Sequence, residues 1–341
     1  MNHAFKGDVV KAMMNPETYD EDVNKIEMVQ THISYIFLTG KYAYKIKKPV
    51  DFGFLDFSTL EKRKFFCEKE LELNRRLCGD MYVAVVPINQ FKGKIKINGA
   101  GEVVEYALKM RQIPQEFIMG NLLKKNDVDE KIIGEIAKII ADFHSNAGTD
   151  EKISKYGSAE NISYIWNENF NQTVEFIGKT IDKVKFDFIK GKVNNFIKNN
   201  KKLFEKRISE GKIRDCHGDL HSGNIFIADK IYIFDCLEFN DRYRCSDVIL
   251  DIAFFTMDLD TSGREGLSKY FVEKYIEFSG EKELFKLLKF YECWRAYVRG
   301  KVMSLKLNDP HVNERERKEA ERMARKYFDL CYKYAAELTE S

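Results

Sequence analysis

The chain of 341 residues contains no unbroken apolar run of membrane-spanning length, and its N-terminus lacks the apolar core of a signal peptide. A cytoplasmic protein with no membrane partner is therefore expected. Its seven cysteines are odd in number and include no Cys-x-x-Cys pair, which argues against a disulfide framework and a structural zinc site. Lys and Arg number 56 against 54 Asp and Glu, a net charge of +2, so the excess of positive charge that nucleic-acid surfaces need is missing. Repeats and low-complexity linkers are absent as well. What remains is a chain with 44% hydrophobic and 13% aromatic residues, enough for one large core or for the two lobes of a single enzyme. Nothing in the sequence reports on oligomeric state.

The most informative segment is His217-Gly218-Asp219-Leu220-His221-Ser222-Gly223-Asn224, followed by Ile231-Tyr232-Ile233-Phe234-Asp235. Phosphoryl transfer asks for a carboxylate at the nucleophile and for oxygen ligands to the metal that bridges the ATP phosphates. The kinase catalytic loop reads His-Arg-Asp-Leu-x-x-x-Asn, and residues 217–224 reproduce it with Gly218 in place of the arginine. In this pattern Asp219 orients the attacking hydroxyl, while Asn224 and Asp235 hold Mg2+. Two apolar runs separated by Ala228-Asp229-Lys230 predict a hairpin that carries both metal ligands to one place.

On these residues the chain resembles the aminoglycoside phosphotransferase family, which has the protein-kinase-like fold. His-Gly-Asp, Asp251-Ile252-Ala253 and Phe143-His144 at the end of an apolar helix are similar to that family more than to protein kinases. The segment from Tyr42 to Phe54 resembles a bacterial branch of it whose substrates are unassigned. The resemblance covers nearly the whole chain and implies an α+β, two-lobed fold. Residues 1–112 would form a small antiparallel-sheet lobe with one helix, and residues 113–341 a larger, mostly helical lobe. It also implies that Asp251 braces the catalytic loop, as His217 does by hydrogen bonding.

In the small lobe of a kinase, a lysine of the third strand contacts the ATP phosphates and pairs with a glutamate of the next helix. Strands are predicted at Ser34 to Thr39 and Tyr42 to Lys47, with Gly40-Lys41 as the turn. Lys45 sits where Val-Ala-Ile-Lys would place it, and Lys47 has the same strand parity. Ser58, with Glu61 three residues later, predicts the start of a helix running to about Leu77. Within it the resemblance implies Glu70, seven residues before Leu77 as in similar phosphotransferases, as the preferred partner of Lys45, with Glu68 and Glu72 as competitors. No glycine-rich loop precedes the second strand, so Thr31 and Ser34 are the candidate phosphate donors and His32 a weaker one. Asp51-Phe52-Gly53 spells a kinase metal motif but lies too early in the chain, in the loop leading to the helix. Strands at Tyr82 to Ile88, Lys94 to Ile97 and Val103 to Met110 follow. Pro114 then suggests a hinge, at which the adenine would bond to backbone near Met110 and Gln112.

Beyond the hinge, apolar residues recur at helical spacing over 127–144, further amphipathic segments fill 158–210, and a packing helix is expected over 311–340. Asp235 is followed by Cys236-Leu237 and not by Phe-Gly. No Ala-Pro-Glu or long activation segment precedes Asp247, so a peptide substrate has no evident platform. Glu238 is a candidate further metal or supporting contact. Arg295 and Arg299, four apart on one helix face, are candidate contacts for an anionic substrate. The expectation is an ATP- and Mg2+-dependent phosphotransferase acting on a hydroxyl of a small-molecule acceptor. The alternatives are a protein kinase and a non-catalytic nucleotide-binding regulatory protein.

Overall fold

The computed structural model describes residues 5–309 and 312–338, with backbone alone for residues 5–7. In chain order the elements are α1 (Phe5–Met13), β1 (Glu27–Gln30), β2 (Ser34–Leu38), β3 (Tyr42–Lys47), α2 (Leu60–Cys78), β4 (Tyr82–Phe91), β5 (Lys94–Ile97), β6 (Glu102–Arg111), α3 (Met119–Lys125), α4 (Glu130–Asn146), α5 (Glu151–Ser154), α6 (Ala159–Thr173), α7 (Lys183–Asn199), α8 (Lys201–Ser209), β7 (Ile213–Asp215), β8 (Ile225–Ile227), β9 (Ile231–Ile233), α9 (Asp241–Arg244), β10 (Cys245–Asp247), α10 (Val248–Thr261), α11 (Glu265–Ser279), α12 (Leu284–Leu305) and α13 (Glu314–Ala336). They group into two compact units, residues 1–121 with 224–241, and residues 122–223 with 242–341.

The first unit is built on a six-stranded antiparallel sheet of order β1-β2-β3-β6-β4-β5. Side chains alternate across a strand, and β3 uses both faces. Tyr44 and Ile46 enter an apolar core with Phe37, Ile88 and Val104, whereas Ala43, Lys45 and Lys47 share the other face. Opposite Lys45 stand Ile36 on β2 and Leu108 on β6, and opposite Lys47 stands Ser34. Helix α2 packs on β4 and β6. Its N-cap is Thr59, whose hydroxyl accepts from the Lys62 amide at 3.3 Å, one residue later than the Ser58 start read from the sequence. Ser58 instead gives both its N–H and its hydroxyl to Asp56. The β8–β9 hairpin also belongs to this unit, with Ile225 opposite Ile233.

Among the described residues the second unit is helical, with one short strand pair, β7 against β10. The helix expected from residue 127 begins at Glu130. Asp129 caps it by accepting from the Ile132 amide, and Val128 and Ile133 are buried on either side of that cap, as in a hydrophobic staple. Ile133, Ile136 and Ile140 are fully buried, each stabilising the helix's packing against α11 by about 1.5–3 kcal/mol. Arg207 of α8 holds Asp247 through two bonds and Glu281 through a third, fixing the N-cap residue of α10. The last helix is α13, and residues 311, 339 and 340 of the run predicted there lie outside the described residues. Among the described residues no helix is long and apolar enough to cross a membrane.

Candidate active site

Two constellations carry the polar chemistry, one in each unit. In the first unit Lys45 Nζ lies 2.7 Å from Glu70 Oε1 and 2.7 Å from Asp235 Oδ1. Lys47 Nζ lies 2.6 Å from Glu70 Oε2 and pairs also with Glu238. The two lysines left open by strand parity thus share one carboxylate. Glu70 is fully buried, whereas Glu68 and Glu72 on the same helix are exposed. Burial alone would push the Glu70 carboxyl up, but both ammoniums outweigh it and bring it down to about 2. Two cations face three carboxylates here, so burial and the nearby Glu70 charge leave Glu238 shifted upward despite Lys47.

Asp235 has a left-handed backbone, φ +62°, and a side chain 41% exposed. Its position is held from both neighbouring atoms of the main chain. Its own amide donates to the Tyr82 hydroxyl at 3.2 Å, and the Cys236 amide donates to Asn74 Oδ1 at 2.8 Å. Asn74 in turn donates to the Glu70 carbonyl, one helical turn back on α2. Across the hairpin the Phe234 amide bonds to the Asn224 carbonyl at 3.0 Å, so the two ends that carry Asn224 and Asp235 lie side by side. An amide oxygen and a carboxylate are the hard donors that Mg2+ prefers, and this pair suits such an ion.

Ala43, Leu108, Met110, Ile113 and Phe226 form an apolar cluster, with Ile36, Leu38 and Phe234 packed against it. Phe226 and Phe234 stack with centroids 4.7 Å apart. Met110 stands between Ala43 and Tyr82 in the sheet, and the Gln112 amide donates to the Lys41 carbonyl while its side chain accepts from the Gly40 amide. A base at this edge would have to use other backbone groups than the Gln112 N–H. Beside it a cavity of about 480 Å³ is lined by Arg111, Pro114, Phe117 and Asp229. Thr31 serves its own turn, its hydroxyl accepting from the Ile33 and Ser34 amides. Ser34 is fully buried, and among the described residues its hydroxyl has no hydrogen-bond partner. His32 is exposed.

In the second unit Gly218 has φ +83°, a conformation that favours glycine and explains this residue where the kinase pattern has arginine. The turn is fastened by Asp251 of α10, whose carboxylate accepts from the His217 amide at 2.7 Å and the Gly218 amide at 2.9 Å. Two turns along the same helix, Asp258 accepts from the Ser222 amide at 2.8 Å. Asp251 is fully buried, which opposes its ionisation, but His144, His217 and Arg295 outweigh burial and hold its carboxyl low. The Asp219 amide donates to His217 Nδ1 at 3.2 Å, and Asp219 Oδ2 lies 3.5 Å from His221 Nε2. Burial is again the opposing effect, and His221, Arg299 and His217 together hold the Asp219 carboxyl well below the usual range. His221 Nδ1 accepts from the Gly223 amide, which leaves Nε2–H to face Asp219.

The two candidate arginines part company. Arg295 is buried over the Phe254 ring, bonds to the Leu250 carbonyl and lies 3.9 Å from Asp251. Arg299 is half-buried between Phe254 and Tyr327; burial opposes its charge, but Tyr327 and Asp219 outweigh burial and shift its pKa upward. Sequence reasoning left Lys47 as an alternative to Lys45 and missed the use of Tyr82, Asn74, His221 and Asp258. His221 had a signal, being two residues from Asp219 inside the motif; Asn74 had a fainter one, as a polar residue four after Glu70.

No family model matches the sequence. An uncharacterized protein of Mycobacterium tuberculosis is 33% identical over 278 residues, which are 81% of this chain and 54% of that protein. The chain therefore spans about half the length of the curated relatives it matches. Among solved structures, a choline/ethanolamine kinase family protein from Mesorhizobium loti is similar with a TM-score of 0.50, 9% identity and 92% coverage of both chains. A candidate aminoglycoside phosphotransferase from Ralstonia eutropha is similar with a TM-score of 0.50 and 11% identity over 97% of this chain and 98% of that one. At these identities the likeness is one of fold: the chain has the α+β, two-lobed, protein-kinase-like fold of such proteins.

Proposed function

We propose that the chain is a small-molecule O-phosphotransferase that uses ATP with Mg2+. The observation that carries this reading is the bonding of one lysine, Lys45, to both the buried helix glutamate Glu70 and the hairpin-end Asp235. A phosphate-binding lysine locked by one carboxylate and poised on a metal-binding one is what phosphoryl transfer requires of a protein. Asn224 and Asp235 would hold the metal, which supplies charge neutralisation at the β- and γ-phosphates when bound. Lys45 would give a phosphate oxygen the hydrogen bond it now gives Asp235, while Glu70 keeps the ammonium in place. The cluster of Ala43, Ile36, Met110, Phe226 and Phe234 would receive the base.

Asp219 would take the acceptor hydroxyl as a hydrogen-bond donor and aim its oxygen at the γ-phosphorus. Because its carboxyl is held low, it is ionised at neutral pH and a weak base. Orientation is thus its main work, and it accepts the hydroxyl proton as the new O–P bond forms and the bond to the β-phosphate oxygen breaks. Asp251 and Asp258 would keep the loop in register for this.

The test is transfer of label from γ-phosphate-labelled ATP, with Mg2+, into separated small-molecule and protein fractions of a bacterial extract. Wild type should label a small molecule. Asp219→Asn should bind nucleotide normally and transfer about 10²–10⁴-fold more slowly, and Asp235→Ala should lose Mg2+-dependent nucleotide binding. Equal binding and transfer by Asp235→Ala and wild type would sink the assignment.

A further inference from the structure

Strand β3 buries two lysines on one face, and the phosphoryl-transfer chemistry derived above uses only Lys45. Lys47 is 1% exposed. Its Nζ lies 2.6 Å from Glu70 Oε2, pairs with Glu238, and stands 4.8 Å from the centre of the Phe57 ring. Burial opposes its charge, but Glu238 and Glu70 outweigh burial and shift its pKa upward, so it is a cation throughout the neutral range. A buried ion pair is weak grounds for stability, because well-packed apolar residues commonly do as well in its place. What Lys47 supplies is geometry.

The terminal torsion of a glutamate side chain is broad and has no sharp staggered well, so a carboxylate held by one ammonium can swing its plane and exchange its oxygens. Glu70 is held twice: Lys45 Nζ lies 2.7 Å from Oε1, and Lys47 takes Oε2. Residues two apart on a strand stand about 6.6 Å from each other, which lets each lysine reach a different oxygen. Glu238, also paired with Lys47, holds that ammonium in turn. The consequence falls on Lys45. Its other carboxylate, Asp235, is the one a metal would claim, and Lys45 then depends on Glu70 for its place.

We propose that Lys47 is a positioning residue for Lys45: by holding Oε2 of Glu70 it fixes the carboxylate plane, keeps Oε1 on the Lys45 ammonium, and so aims Lys45 at the ATP phosphates once the metal has taken Asp235. Lys47 acts through Glu70 and touches neither nucleotide nor metal. The inference rests on the phosphotransferase reading of Lys45 and adds the second lysine of the strand to it.

Calorimetric titration of the full chain with ATP and Mg2+ and, separately, with adenosine tests it. Lys47→Met alone would strand Glu238, so it is combined with Glu238→Gln, which removes one charge of each sign and leaves Glu70 on Lys45. This double variant should bind ATP with Mg2+ about tenfold more weakly than wild type, the weight of one misdirected charge-assisted bond, and adenosine within about twofold. A merely structural Lys47 would move both ligands or neither. Glu70→Gln completes a cycle: it should weaken ATP binding at least as much, and adding Lys47→Met and Glu238→Gln to it should change the affinity by no more than about twofold, whereas independent action would multiply the two losses. Multiplied losses overturn the proposal, as does an unchanged ATP affinity in the double variant or an equal loss of adenosine. Wild type that binds neither ligand would sink the phosphotransferase reading and this inference with it; with ATP bound by wild type, those three outcomes sink the inference alone.

Discussion

Lys45 Nζ bonds to Asp235 Oδ1 at 2.7 Å, so the proposed phosphate-binding cation sits on the proposed metal ligand. The two functions compete for one carboxylate. Replacing Lys45 with Met removes both the competitor and a positive charge beside the metal position. Mn2+ binding in the absence of nucleotide, followed by electron paramagnetic resonance, should therefore tighten about tenfold in Lys45→Met. Transfer from ATP should fall about 10²–10³-fold, because the donor to the phosphates is gone. Weaker Mn2+ binding would mean that Asp235 does not face the metal.

Glu70 ties Lys45 to Lys47, and its ionisation is a stability term. Its folded pKa of about 2 lies below the ordinary 4.5, so the carboxylate contributes stability that is complete above 4.5 and lost as pH falls from there towards 2. The span corresponds to about 3 kcal/mol. In Glu70→Gln this acid-dependent loss should vanish from urea unfolding curves measured between pH 6 and pH 3, and neutral-pH stability should drop by about 3–5 kcal/mol, since two buried ammoniums lose their shared partner. Unchanged acid sensitivity in the variant would place the titrating group elsewhere.

The parts of this arrangement visible in the sequence are those set by local spacing. The motif from His217 to Asn224 and the hairpin to Asp235 are contiguous, and β3 parity puts Lys45 and Lys47 on one face. Parity cannot separate them, and in the protein both are used. Choosing Glu70 over Glu68 and Glu72 depends on the rotation of α2 about its axis against the sheet, a tertiary quantity. Tyr82 and Asn74 reach Asp235 and Cys236 from more than 150 positions away, and no local pattern encodes such pairs. The same holds for Arg295: helix periodicity puts it on a face with Arg299, while packing over Phe254 commits it to Asp251. The shift of the α2 cap from Ser58 to Thr59 has a local cause, the capture of Ser58 by Asp56.

Gly218 supplies a conformation that L side chains resist. With φ at +83°, Gly218→Ala should cost about 1–2 kcal/mol in unfolding free energy. The strain falls at the second of two amides held by Asp251 and directly before Asp219, so the variant should lose transfer activity out of proportion to stability. Nucleotide affinity should stay within about twofold of wild type, an energy change near RT. A loss of nucleotide binding equal to the loss of transfer would show that the turn serves the nucleotide and not Asp219.

Glu292 of α12 runs opposite to Glu70. It is 1% exposed, its Oε1 accepts from the Thr256 hydroxyl at 2.7 Å, and Lys289 Nζ lies 2.9 Å from Oε2. Burial nonetheless wins, lifting the carboxyl to about 7 against the pull of Lys289 and Thr256. A carboxyl with a raised folded pKa favours the native state while protonated, so its contribution is complete below 4.5 and disappears as pH climbs to 7. Glu292→Gln keeps an oxygen for Thr256 and cannot ionise. It should match wild type near pH 4.5 and exceed it at pH 8 by up to about 3 kcal/mol, the free-energy equivalent of the shift. Urea unfolding at the two pH values decides the matter: stability curves that run parallel for variant and wild type would mean that Lys289, and not burial, governs this carboxyl.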